Sequence, residues 1–123
     1  MVPLMAMVRH RTAAGSTVPA RLVYSSRSLD DVIYRDELDR LAQAGDGFEV
    51  IHTLTRVRPS GWTGYSRRVD GQMLGEVAWP ASDSPVAFIC GPTPLVESVA
   101  GALTQLDHEP RRIKTERFGP TGG

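Results

Sequence analysis

The stretch VAFICGPTPLVESVAGALTQL, residues 86–106, decides the fold. Val86 to Cys90 is an uncharged apolar run, entered through Pro85 and stopped by Gly91-Pro92. A short apolar run closed by turn residues reads as a buried strand. Thr93 to Asp107 then reads as the clearest helix of the chain. Thr93 can cap it, Pro94 suits its first position, and Leu95, Val99, Ala102, Leu103 and Leu106 form one stripe. A strand feeding a helix through a tight Gly-Pro turn is the repeating half of a parallel α/β sheet.

The same alternation extends outward on both sides. Arg21 to Ser25 (RLVYS) and Phe48 to Thr55 (FEVIHTLT) read as strands, and Arg111 to Glu116 as the last one. Pro3 to Arg11 reads as a helix with Leu4, Met5 and Val8 on one face. Leu29 to Ala44 reads as a second helix, capped by Ser28, with Asp30 and Asp31 in its first turn. Its expected inner face is Ile33, Tyr34, Leu38 and Leu41, with Asp36–Arg40 and Arg35–Asp39 as outer i,i+4 pairs. Arg67 to Val77 is a weaker helical pattern after a Pro/Gly/Trp loop at Arg56 to Gly64. The order predicts an α/β fold with a doubly wound parallel sheet. Such a unit ordinarily opens with a strand, and here the first helix has none before it.

The 123 residues suit one domain, and 41% apolar residues suffice for a core. Fourteen basic and fourteen acidic side chains balance to zero. That balance excludes a duplex nucleic-acid binder and an electrostatically held membrane protein. Cys90 is the single cysteine, so no internal disulfide forms and a reducing, cytoplasmic setting is expected. His10, His52 and His108 lack metal-ligand spacing, and no metal site is expected.

Two strand ends carry candidate chemistry. In open α/β sheets ligands bind beyond the carboxyl ends of the strands, near helix N-termini. The turn Cys90-Gly91-Pro92-Thr93 lies at such an end, and Gly91 presents no side chain to a ligand. On residues alone, a tight connection holding a buried cysteine explains the turn as well. At the end of RLVYS, Ser26 offers a hydroxyl and Arg27 a fork of donors for a ribose or phosphate. Arg56 ends the next strand and Arg68 opens the following helix. Each alone reads as a solvated charge, but three arginines at matching ends suggest an anion.

The turn Cys90 to Pro92, the pair Ser26-Arg27, VIYRDEL (32–38), GWTGYSRRV (61–69) and ERFG (116–119) resemble the NAD(P)-binding domain of ferredoxin reductases and oxygenase reductases, across nearly the whole chain. The resemblance implies an NAD(P)H-dependent, flavin-linked oxidoreductase domain over residues 1–118, followed by a flexible tail at 119–123. It implies that Ser26, Arg27, Arg56 and Arg68 hold the adenosine ribose or its 2′-phosphate, which leans toward NADP over NAD. Cys90, Gly91, Pro92 and Thr93 would line the nicotinamide pocket, with Pro3 at the start of the first helix. Glu116 and Phe118 would lie at the flavin edge. Both strand ends would then open onto one crevice.

The sequence departs from that family at its start, where only Met1-Val2-Pro3 stands for the Gly-rich turn. The FAD-binding barrel would therefore lie upstream or in another chain, and a ferredoxin, flavodoxin or oxygenase would accept the electrons. The family's first strand is central. Each buried backbone group that loses its partner costs roughly 1–3 kcal/mol, against a total stability of about 5–15 kcal/mol. Self-association or pairing with a partner strand is the expected consequence. The competing class is a non-catalytic interaction module on a degenerate nucleotide-binding fold. A flavodoxin-like or response-regulator module fits less well, because no acidic cluster is visible.

Overall fold

Four α-helices and four strands alternate along residues 2–117, the part that the computed structural model describes. They are α1 (Val2–Ala13), β1 (Ala20–Ser26), α2 (Arg35–Gln43), β2 (Phe48–Leu54), α3 (Gly71–Val77), β3 (Ala87–Gly91), α4 (Thr93–Gln105) and β4 (Ile113–Arg117). Single 3-10 turns at Leu29–Asp31, Ala81–Asp83 and Pro110–Arg112 precede α2, β3 and β4. The strands form two parallel pairs, β1–β2 and β3–β4. The chain divides into two compact units, Arg9–Arg68 and Met1–Val8 with Val69–Gly123. No helix among the described residues is long and apolar enough to cross a membrane.

In the Arg9–Arg68 unit, β1 and β2 pair in register from Ala20↔Phe48 to Ser26↔Leu54. The helix α2 packs on β2, and Leu22, Val32, Leu38, Phe48 and Leu54 are buried. The end of α1 is tied down by one arginine. Arg11 donates to the Val18 carbonyl at 2.7 and 3.0 Å and to the Asp46 carbonyl at 2.7 Å. Its guanidinium also pairs with the Asp46 carboxylate at 3.2 Å. One side chain thereby fixes the entries to both strands.

The helix expected over 29–44 is broken in two. Val32 is extended (ψ 113°) and Tyr34 sits in the left-handed region (φ 53°), so α2 begins only at Arg35. Ser28 caps no backbone group; its hydroxyl donates to the Asp31 carboxylate at 3.0 Å. Ile33, expected on the inner face, is 58% exposed, and Val32 is buried instead. Neither Asp36–Arg40 nor Arg35–Asp39 forms an ion pair among the described residues. The acid that pairs is Glu37, held by Arg9 from α1 through two bonds of 2.7 and 2.9 Å. The same guanidinium lies 5.0 Å from the centre of the Tyr34 ring.

In the other unit, α4 packs on β3 and β4 and α3 packs on α4. Its buried stripe is Val96, Val99 and Leu103, whereas Leu106 is 36% exposed. Val99 and Leu103 are buried as expected, Val96 is buried where Leu95 was expected, and Pro92, not Thr93, occupies the cap. Thr93 is already helical, and Val96 N–H donates to the Pro92 carbonyl at 3.1 Å. α3 is shorter than the expected 67–77. Asp70 caps it, accepting from Met73 N–H at 2.8 Å, and Met73, Leu74 and Val77 are buried.

His52 lies opposite Tyr24 in the β1–β2 register. Its Nδ1 is buried without a hydrogen-bond partner. Burial lowers its pKa, nearby Arg35 acts in the same direction, and Asp39 opposes them. A histidine with a depressed folded pKa stabilises the fold while both states are neutral. That contribution is lost as pH falls below the unfolded value of about 6.5. Chemical unfolding between pH 7.5 and 5.5 should therefore show falling stability, with a flatter profile in His52→Gln. Leu38→Ala, at a fully buried site, should cost about 2–5 kcal/mol in the same assay.

Candidate functional site

At the carboxyl end of β1–β2 the ladder continues past the strands. Thr55 N–H donates to the Ser26 carbonyl at 2.9 Å. The Arg27 carbonyl then accepts from both Arg56 N–H (3.1 Å) and Val57 N–H (2.8 Å). These bonds set the backbone of Arg27 beside that of Arg56. Ser26 is the last residue of β1, and its hydroxyl donates to the Ser28 carbonyl at 2.9 Å. The Arg27 side chain is 67% exposed and lies 3.9 Å from Asp31, too long for a strong contact.

Arg68 does not open α3. It lies in the loop before the Asp70 cap and is exposed. The loop nevertheless returns to β2. Leu54 N–H donates to the Tyr65 carbonyl at 3.1 Å, and the Thr53 hydroxyl donates to the Arg67 carbonyl. Arg67 lies over the Tyr65 ring at 5.5 Å. The end of this strand pair is thus cationic, and Arg58 adds a further exposed guanidinium that sequence reading passed over as part of a connector.

In the other unit, the β3–β4 register aligns Cys90 with Glu116 and Gly91 with Arg117. The two side chains singled out for chemistry are therefore neighbours across parallel strands. Cys90 is partly buried. Burial pushes its thiol pKa up, and the charge of Glu116 adds to the rise. Gly91 is buried with φ 158°, and a Cβ there would stand 2.7 Å from Leu95 Cδ2. The chain can turn into α4 only where no side chain stands. Pro92 caps α4 and Thr93 begins it, leaving first-turn N–H groups without helical partners. Pro3 lies in the first turn of α1. Phe118 and the tail at 119–123 lie outside the described residues.

A small cavity of about 80 Å³ lies at the opposite end of this unit, lined by Ser84, Pro85, His108, Glu109 and Arg112 among others. Ligand sites of cofactor size run to roughly 300–1,000 Å³, so this cavity does not compete with the carboxyl ends. Among the described residues no cluster of three or more His, Cys, Asp or Glu side chains could hold a metal ion.

A family profile described as the oxidoreductase NAD-binding domain matches residues 1–101. The chain belongs to this family. NADH-cytochrome b5 reductase 1 of Emericella nidulans is 33% identical over 112 residues, covering 89% of this chain and 36% of that protein. A glycine betaine monooxygenase reductase subunit of Pseudomonas aeruginosa is 32% identical over 123 residues, covering 98% and 33% respectively. The chain thus spans about a third of the curated relatives it matches.

The cytochrome b5 reductase domain of Ulva prolifera nitrate reductase superposes with a TM-score of 0.82 over 93% of this chain and 44% of that one. At 21% identity this likeness establishes the fold. The CS-b5R domains of human Ncb5or, solved in an NAD+ form, superpose with a TM-score of 0.71 over 79% of this chain and 28% of that one, at 25% identity. The fold is that of the ferredoxin-reductase-like b5 reductase domain, with the mixed helices and parallel strands of the α/β class.

The elevated Cys90 pKa has a reactivity consequence, because the thiolate is the nucleophile. Alkylation of Cys90 by iodoacetamide at pH 7.5 should be slower than that of a free thiol. Glu116→Gln should accelerate it by lowering the pKa. An unchanged rate in the variant would mean that Glu116 does not act on the sulfur.

Proposed function

We propose that this chain binds NAD(P)H and presents it to an FAD carried by a separate domain, in the same or another polypeptide. A ferredoxin, flavodoxin or oxygenase then receives the electrons. The observation that carries this reading is the end of β3–β4: Cys90 and Glu116 in register, then a buried Gly91 that closes β3 just before α4. When bound, the nicotinamide supplies the hydride and the flavin accepts it. Gly91, Pro92 and Thr93 make room at the helix start and offer N–H donors. Cys90 and Glu116 border the reacting rings and help keep water away. The adenosine end falls to Ser26, Arg27, Arg56 and Arg68. Their arginines favour the phosphorylated nucleotide, NADP, although the relatives include NADH reductases.

Residues 1–118 act as one nucleotide-binding domain in this reading. Its sheet is doubly wound around a central strand that none of the described residues provides. The two parallel pairs support this, because β1 and β3 each have one partner among the described residues. Strand edges left open in this way favour self-association or a strand from a partner. The lone cysteine supports action in the cytoplasm. A non-catalytic interaction module is a second reading, favoured by Val86 and Phe88, which are 46% and 47% exposed at β3.

Calorimetric titration of the full chain with NADPH and NADH, with and without an FAD-loaded flavin domain, separates these readings. Saturable binding is expected, and Arg27→Ala should weaken NADPH about tenfold, with a smaller loss for NADH. No binding of either nucleotide under both conditions would favour the interaction module.

A further inference from the structure

We infer that the outer edge of β4 (Ile113–Arg117) is the seam of a homodimer, along which a second copy of this chain lays its own β4 antiparallel. A twofold axis passes beside Thr115, so that Lys114 of each copy stands opposite Glu116 of the other. The seam involves neither nucleotide binding nor the open edges of β1 and β3.

The first ground is the edge itself. Among the described residues β4 pairs with β3 and with no other strand. It is also the least covered strand: Ile113 is half-buried, and Lys114, Thr115, Glu116 and Arg117 are exposed. Such an edge presents a row of unpaired N–H and C=O groups that another strand can meet. Side chains along a strand alternate between its two faces. One face of β4 is turned to α4, where Arg117 donates to Glu97 at 2.5 Å. Ile89, which neighbours Thr115 in the β3–β4 register, is buried on that face. Lys114 and Glu116 therefore take the other face, beside Phe88 and Cys90. There Val86 and Phe88 are 46% and 47% exposed, so apolar surface flanks the edge.

The second ground is charge. Neither Lys114 nor Glu116 has an ion pair or a hydrogen bond among the described residues. Charges on an edge strand commonly keep copies apart, and a run of one sign does so. Here the signs are opposite and stand one residue to either side of Thr115. When a strand meets its own copy antiparallel, a twofold axis relates the two and fixes one residue at the centre. Centring on Thr115 is the only register that pairs the whole of β4. It also sets Lys114 against Glu116 twice, and opposite charges directly across two strands attract. Centring on Lys114 or on Glu116 instead sets like charges face to face, which is unfavourable. At the ends of the seam Ile113 meets the aliphatic stem of Arg117, whose guanidinium stays with Glu97. A strand this short buries less than the roughly 1,200–2,000 Å² of a stable interface. The dimer is therefore weak and sensitive to concentration and salt.

The test is sedimentation equilibrium of the full chain across a range of concentrations, with and without added sodium chloride. A monomer–dimer equilibrium that salt weakens is expected. Lys114→Glu turns both pairs into like charges and should weaken the dimer about tenfold. The double variant Lys114→Glu with Glu116→Lys exchanges the partners and should restore it. Crosslinking checks the register. Thr115→Cys, with Cys90→Ser to remove the native thiol, should form an intermolecular disulfide in air. Opposed Cα atoms of antiparallel strands lie about 4.5–5.5 Å apart, within disulfide reach. Lys114→Cys in the same background should not crosslink, because its two copies stand diagonally, about 7–8 Å apart. A chain that stays monomeric at every concentration would overturn the inference. So would a dimer that Lys114→Glu leaves unchanged, a loss that the exchange fails to restore, or equal crosslinking at positions 114 and 115.

Discussion

A parallel strand pair cannot be closed by a tight turn. Its two strands must be joined by a crossover of a dozen residues or more, ordinarily a helix. Both strands of the pair therefore finish at the same end, and the chain leaves that end to begin the next segment. This constraint arranges the candidate residues at the strand ends. Ser26, Arg27 and Arg56 meet because β1 and β2 run parallel in register. Cys90 meets Glu116 because β3 and β4 do the same. Residues 29 and 26 positions apart in the sequence become neighbours through backbone pairing alone.

Packing then decides what those ends look like. Under β3, the buried stripe Val96, Val99 and Leu103 fixes the rotation of α4. The end of the Leu95 side chain lies 2.7 Å from where a Cβ on Gly91 would stand, and Gly91 itself takes a φ of 158°. A glycine there is a consequence of close helix–strand approach, which also leaves backbone N–H groups accessible at the helix start. In the Arg9–Arg68 unit, Arg9 and Arg11 anchor α1 to α2 and to the entries of both strands. Both arginines are taken up by carboxylates of the chain itself, Glu37 and Asp46, which separates these structural guanidiniums from those exposed at the strand ends.

The strands were legible in the sequence because apolar runs bounded by Pro, Gly and polar residues carry a local signal. The observed bounds of β1, β2 and β3 differ from the expected ones by at most one residue at each end, while β4 starts two residues late because Pro110–Arg112 forms a 3-10 turn. The break before α2 was not legible. Nothing in VIYRDEL announces that Tyr34 takes φ 53°; the Arg9 guanidinium over its ring is a contact from another helix. The cap of α4 was missed for a related reason: two prolines flank Thr93, and only the three-dimensional turn decides which residue is the cap. Of the site, the pairs Ser26-Arg27 and Cys90-Gly91 were readable as strand ends. The alignment of Cys90 with Glu116 follows from register, which local sequence does not encode. Arg58 was hidden because a Pro/Gly/Trp loop looks like a connector until its hydrogen bonds to β1 and β2 are seen.

The central claim is the proposal that nucleotide binding falls at carboxyl strand ends and not at the opposite ends. Backbone amide chemical shifts of the full chain, followed during addition of NADPH, test it most directly. The account predicts that the largest changes fall on Ser26, Arg27, Arg56 and on Cys90, Gly91 and Thr93. Changes confined to Ser84, His108 and Arg112 at the other end, or no saturable change anywhere, would contradict it.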